Sequence, residues 1–197
     1  MTGAQRREQL LDVGLALFSE KGFDRTSVEE LAARAEVSKP VVYEHFGGKE
    51  GLYAVVVDRE VQLLLERFEA ALSADHPRLL LQQAALALLT YVEDRTDGFR
   101  ILVHESSVAR GTGSFATIMS DVAVQVQGIL DREFRARGYE TALSGLYSQA
   151  LVGMVALTGQ WWLEERSPSR DDVAAHLVNL AWNGLSHLQT TPTLEQP

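Results

Sequence analysis

Apolar residues return every three or four positions along nearly the whole chain, and no run of alternating β-branched residues framed by turn signals interrupts them. The pattern predicts an all-α protein. Leu10, Leu11, Val13, Gly14, Leu17 and Phe18 give a first helix over 5–21, with Lys21 in its last turn and Gly22 suited to a left-handed cap; Phe23 then re-enters the core. Thr26-Ser27-Val28-Glu29-Glu30 offers a capping box in two registers, Thr26 with Glu29 or Ser27 with Glu30, ahead of a short second helix that ends near residue 35. Glu36-Val37 makes a turn. Ser38 is placed to cap a third helix, which tolerates Pro40 in its first turn because an N–H there has no intrahelical partner. That helix ends at Phe46, before Gly47-Gly48.

Beyond it, Leu52, Val55, Val56, Leu63, Leu64, Phe68 and Leu72 describe one helix over 49–73. At its length of about 37 Å it can join two modules. Further helices are expected over 77–94, 98–109, 114–137, 140–165 and 170–188, and the segment 190–197, with two prolines and no periodicity, is expected to be disordered. The second and third helices, joined by a tight turn and followed by Tyr43 and His45 on the third, have the dimensions of a helix-turn-helix. Val28, Leu31 and Ala32 would pack one across the other, with small Ala32 and Ala33 allowing close approach.

Charge narrows how such a module can work. The net charge of −9 argues against coating nucleic acid through bulk positive potential. Residues 1–50 hold seven Lys and Arg against nine Asp and Glu, yet all three lysines, Lys21, Lys39 and Lys49, fall there. DNA binding would therefore rest on a few placed cations. The absence of cysteine excludes disulfides, thiolate zinc sites and thiol nucleophiles, and fits a reducing cytoplasm. The first 17 residues mix Arg6, Arg7, Glu8 and Asp12 with short apolar pieces, so they lack the apolar core of a signal peptide.

Three stretches carry a resemblance to a known family: Thr26-Ser27-Val28-Glu29-Glu30-Leu31-Ala32; Val37-Ser38-Lys39-Pro40-Val41-Val42-Tyr43-Glu44-His45-Phe46; and Lys49-Glu50-Gly51-Leu52. Together they resemble the tetracycline-repressor (TetR) family of bacterial regulators, over about a quarter of the chain. Two positions depart from the family pattern: Glu36, where glycine is usual in the turn, and Val42, where leucine is common. The resemblance implies that Lys39, Pro40, Val41 and Glu44 face base edges. Lysine can donate to guanine, Pro40 and Val41 can touch a thymine methyl, and Glu44 can accept from cytosine. Tyr43, His45 and Lys49 would bond phosphates, helped by backbone N–H groups near Thr26 and at the start of the fourth helix; Ser27 and Ser38 are further DNA-binding candidates, with Arg6 and Arg7 reaching DNA as a mobile arm. The plain alternative makes Tyr43 and Phe46 core aromatics and the lysines solvated surface charges.

Residues 142–163 are 22 consecutive positions without Asp, Glu, Lys or Arg. Their length suits a bilayer, but Ser144, Ser148, Gln149, Thr158, Gln160 and three glycines, with no cationic flanks, speak against a membrane span. A helix buried on several sides is the better reading, and 173–188 is similarly free of fixed charge. A partner surface is expected over both, with Ala150, Gly153, Ala156, Leu157, Leu177, Ala181, Gly184 and Leu188 at the contact. Pairing with two-fold mates gives a four-helix bundle, as the resemblance also implies, although the glycines can equally serve packing within one chain.

A small-molecule pocket after the long fourth helix is implied by the resemblance alone. Tyr91, Phe99, Leu102, His104, Phe115, Met119, Val122, Trp161 and Trp162 are its candidate lining, against a reading of most of them as ordinary core. Arg100 can pair an acidic ligand or simply Asp97. The chain is thus expected to comprise a three-helix helix-turn-helix domain over 1–48, a helical effector-binding and dimerisation domain over 49–189, and a tail over 190–197. It is read as a cytoplasmic homodimer that binds double-stranded DNA and a small-molecule effector, with no metal, cofactor or membrane. An enzyme is the first rival: His104-Glu105 begins like a zinc-protease helix, but Val108 stands where the second histidine belongs, and no nucleophile elbow or phosphate loop is present. An interaction scaffold without DNA readout is the second, and it leaves the Ser38 to His45 arrangement without a purpose.

Overall fold

Three helices start where Thr2, Ser27 or Ser169 supplies a side-chain partner for the orphan N–H groups. The structure is a computed structural model that describes residues 1–74, 76–103, 115–189 and 192–193. Among them are nine α-helices and no strand: α1 Gly3–Lys21, α2 Val28–Arg34, α3 Lys39–Phe46, α4 Lys49–Ala71, α5 Pro77–Asp94, α6 Thr96–Val103, α7 Phe115–Arg137, α8 Ser144–Glu165 and α9 Arg170–Ser186. A 3-10 turn, Thr141–Leu143, stands where an α-helical start at 140 was expected. Helix α1 begins earlier than its apolar stripe suggests because Thr2 and Gln5 form a reciprocal capping box, at 3.2 and 2.8 Å. Helices α4 and α9 stop two residues short of their expected ends. The expected helix 98–109 begins at Thr96 and is followed to Val103; His104, Glu105, Val108 and the loop from Gly111 to Ser114 lie outside the described residues, as does most of 190–197.

The chain forms two compact units, the first of residues 1–67 and 91–118 and the second of 68–90 and 119–197. In the first, Leu10, Ala32, Ala35 and Val42 make a buried cluster on which Val13, Val28, Val37, Val41 and Phe46 lean. A Cβ added at Gly14 would come within 3.1 Å of Leu52, so this glycine sets how closely α1 approaches α4. Phe18, Phe23 and Tyr53 stack beside them, with ring centroids 4.9 to 6.1 Å apart.

Further along α4, Glu60 is only 1% exposed. Its carboxylate accepts a 2.7 Å hydrogen bond from Tyr91 Oη and ion-pairs with Arg95. A Cβ at Gly98 would overlap that carboxylate. Burial, and then the adjacent Glu60 charge, push the Tyr91 hydroxyl far above the usual phenol range, while Glu60 holds the Arg95 guanidinium more firmly protonated. Arg67 reaches Asp94 at 2.9 Å, and Arg59 reaches Glu8 at 3.1 Å. Helix α4 is therefore held to its neighbours in this unit by charge as well as by apolar packing.

In the second unit, α8 buries Val152, Val155, Ala156, Gly159, Trp162 and Leu163, and α9 buries Val173, Ala174, Leu177, Val178 and Ala181. The Trp162 indole N–H donates to the Pro168 carbonyl at 2.8 Å. Ser169 caps α9 through a 3.2 Å bond from the Asp172 N–H.

Candidate nucleic-acid interface and ligand cavity

Ser27 selects the register of the α2 cap: its hydroxyl accepts from the Glu30 N–H, and Glu30 accepts from the Ser27 N–H, both at 3.2 Å. Lys21 also binds Glu30 at 2.7 Å and, with the Ser27 N–H, lowers the pKa of its carboxyl. Helix α2 ends in a Schellman motif. The Val37 N–H bonds to Ala32 O at 2.9 Å and the Glu36 N–H to Ala33 O at 3.1 Å, with Glu36 between them at φ +54°. The left-handed position that glycine usually fills is thus occupied by a glutamate, at a cost of roughly 1 kcal/mol. Val37, just past it, leans on the buried cluster and fixes the direction in which α3 departs.

Helix α3 opens with Lys39 and Pro40 after Ser38, whose backbone is extended as a cap requires. The expected cap bond is not made: the Ser38 side chain accepts none of the N–H groups of the first turn. At the far end, Gly47 at φ +73° donates to Tyr43 O at 2.8 Å. A Cβ at Gly51 would overlap the Phe46 carbonyl oxygen, so only glycine lets α4 start this close to the end of α3. Val42 is fully buried and Val41 half-buried, which turns Ser38, Lys39, Pro40, Tyr43 and Glu44 outward on one exposed face. His45 is half-buried beside Phe46.

All seven cations of residues 1–50 are engaged within the chain. Arg6 donates to Gln9, Arg25 to Lys21 O, and Arg34 pairs with Glu20. Lys39 pairs with Glu29, lowering that carboxyl's pKa, and Lys21 pairs with Glu30. Lys49 donates to Phe23 O at 3.1 Å with its ammonium 4.1 Å from the ring centroid. Arg7 donates to His45 O at 2.9 Å and lies 4.4 Å over Phe46. Arg6 and Arg7 are therefore helical residues of α1 rather than a mobile arm, and Arg7 anchors the end of α3. Thr26 is also placed differently: it is 2% exposed, its hydroxyl donates to Gly22 O at 2.8 Å and its N–H to Phe23 O, so both groups serve the fold.

Within the second unit lies an apolar cavity of about 130 Å³. Phe68 and Leu72 line it, with Leu80, Ala84 and Leu88 of α5, Met119, Val122, Val126 and Ile129 of α7, Leu151 and Val155 of α8, and Trp182 and Leu185 of α9. Of the nine residues expected to line a pocket, only Met119 and Val122 do so; His104 is outside the described residues. Tyr91, Phe99, Leu102 and Phe115 belong to the core of the first unit, Trp162 is buried against Pro168, and Trp161 is half-exposed. Trp161 instead continues an exposed stripe on α8 with Leu146, Ala150 and Leu157, beside open space at Gly153. Leu180 and Gly184 are exposed on α9. Ala156, Leu177 and Ala181, expected at a partner surface, are buried within the protomer, and Leu188 is half-buried.

Residues 10–56 match the family described as bacterial regulatory proteins, tetR family, and residues 67–194 match the tetracyclin repressor-like C-terminal domain. The chain belongs to the TetR family. It is 30% identical to the HTH-type transcriptional activator FasR of Mycolicibacterium smegmatis, a match covering 95% of this chain and 86% of FasR. A TetR-like transcriptional regulator from Rhodococcus sp. RHA1 superposes with a TM-score of 0.79 at 27% identity, covering 94% of this chain and 98% of that one. The icaADBC negative regulator IcaR of Staphylococcus aureus is 34% identical over 47 residues, 24% of this chain and 25% of IcaR. These relatives are transcriptional regulators, not enzymes, and the chain is a DNA-binding transcriptional regulator of helix-turn-helix type.

The helices of the helix-turn-helix are marked in the sequence by short-range signals: a cap at Ser27, a turn at Glu36-Val37 and Pro40. Glu29, which holds Lys39, and the cavity wall on α5, α8 and α9 were missed. Glu29 sits ten residues from its partner, and an apolar side chain beside a gap has the same sequence signature as one in a filled core.

Proposed function

We propose that the chain is a homodimeric repressor, working in the cytoplasm, that holds a roughly palindromic operator and leaves it when a small molecule occupies the second unit. The observation that carries the DNA reading is the exposed face of α3, where Lys39, Pro40, Tyr43 and Glu44 stand together while Val42 and Phe46 anchor the helix behind them. Lys39 and Glu44 read base edges, and Tyr43, His45 and Lys49 bind phosphates. The Lys39–Glu29 pair is exposed and therefore weak, so exchanging the carboxylate for a base edge costs little. The exposed stripe of α8, with Leu180 and Gly184 of α9, supports pairing through these helices. Two copies of α3 about 34–36 Å apart then enter successive major grooves.

Phe68 of α4 lines the cavity while 49–67 of the same helix belong to the first unit, so a ligand that prefers a shifted α4 lowers operator affinity. The test is selection of bound genomic fragments by the purified protein, with its mass measured by light scattering. A dimer that retains inverted-repeat fragments supports the reading, and a monomer, or retention without sequence preference, contradicts it. Activation is the second reading, favoured by the similarity to FasR across nearly the whole chain. Deleting the gene raises transcription from the bound promoters under repression and lowers it under activation.

A further inference from the structure

We infer that the cavity of the second unit takes the uncharged hydrocarbon part of its ligand, chain or ring, and leaves any ionic end outside. This inference rests on reading that unit as the sensor and names the chemistry it senses. Among the described residues, none of those lining the cavity carries an ionisable side chain. Gln125 and the Trp182 indole supply its strongest hydrogen-bonding side chains, and Gln125 is itself exposed, which places it at the rim. A carboxylate or phosphate moved inside would lose its hydration with no cation among these lining residues to receive it. A hydrocarbon group loses nothing of the kind and gains contact with leucine, valine and phenylalanine walls. The volume of about 130 Å³ resembles that of engineered apolar cavities of roughly 150 Å³, which stay dry and bind benzene. Trp182 stands against the exposed His76, with ring centroids 5.3 Å apart, so an indole in the wall reports on occupancy.

The full-length protein is titrated with the straight-chain alcohols 1-butanol, 1-pentanol, 1-hexanol and 1-octanol, following its melting temperature and tryptophan emission. Affinity is expected to rise about fourfold per added methylene until the cavity is filled. 8-Bromo-1-octanol should quench the emission, and much of that quenching should disappear in Trp182→Phe. Ala84→Phe, which fills the cavity from α5, should weaken alcohol binding at least tenfold. Val126→Phe does the same from α7 and replaces it should the first variant fail to fold. Affinity that is flat with chain length, or saturable binding of acetate or inorganic phosphate at this site, overturns the inference. Operator affinity is measured in parallel. Alcohols that bind with the expected chain-length dependence yet leave operator affinity unchanged support the cavity chemistry and count against effector release. Loss of operator binding without chain-length dependence counts against the cavity chemistry.

Discussion

Between Ser27 and Gly51 most turns and caps are fixed by neighbours a few residues away, whereas the cavity of the second unit is walled by side chains from five separated segments between Phe68 and Leu185. In the first region a cap, a Schellman turn and a glycine required by contact leave the backbone few alternatives. In the second, the feature proposed to take a ligand is a volume that no side chain fills. The first region is therefore expected to be the more sensitive to substitution and the second the more adjustable. A change between Ser27 and Gly51, or in the charged contacts that hold α4, removes a specific partner. A change in the cavity wall alters the shape and size of a gap.

The largest effect is expected where the first unit holds a buried charge. Glu60→Ala leaves the Tyr91 hydroxyl and Arg95 without their acceptor and should destabilise the protein by about 3 kcal/mol, lowering its melting temperature by roughly 6–12 °C. A change below 2 °C would remove the network from the account of this unit. Gly51→Ala should come next, at about 1–3 kcal/mol with a loss of DNA binding, because the new methyl meets the Phe46 carbonyl and displaces α3. Gly128→Ala on α7 of the second unit, where a Cβ meets nothing, should instead stabilise by up to about 1 kcal/mol. Equal effects from these two glycines, read by thermal melts, would break the contrast between the regions.

Glu36→Gly relieves the positive φ of the turn and should raise stability by roughly 1 kcal/mol without altering sequence preference. The smallest effect concerns Glu29 and Glu30, whose pKa values in the folded protein lie below the ordinary 4.5. The stability they add is fully present above that value and is lost as pH falls through the lowered ones. Lys39→Met should return the Glu29 carboxyl towards 4.5 in an NMR titration; an unmoved value would mean that Lys39 does not hold it in solution.

The sequence made the helix-turn-helix legible because its signals are local. Gly22, Ser27, Pro40 and Gly47 each act within one turn of chain, and Glu36 was recognisable as a departure before its φ was known. Helix faces on α8 were half legible. The lack of charge over 142–163 identified a helix with more than one covered side, but the division into buried Ala156 and exposed Leu157 and Trp161 depends on what α9 covers. Tyr91 and Phe99 looked like pocket residues because large aromatics line pockets and cores alike. Their neighbours Glu60 and Phe115 come from distant segments that no local spacing predicts.

Helix α3 is proposed to read base sequence through the side chains it exposes. Binding of the protein and of Lys39→Ala to a library of randomised duplexes, at fixed salt and read by sequencing, tests it most directly. The expected result is an inverted repeat with half-sites about 10 base pairs apart, and a loss of roughly 10- to 100-fold in discrimination at one position of each half-site in Lys39→Ala. A uniform loss on every sequence would contradict it, because Lys39 would then be a phosphate contact and the exposed face of α3 would not read the bases.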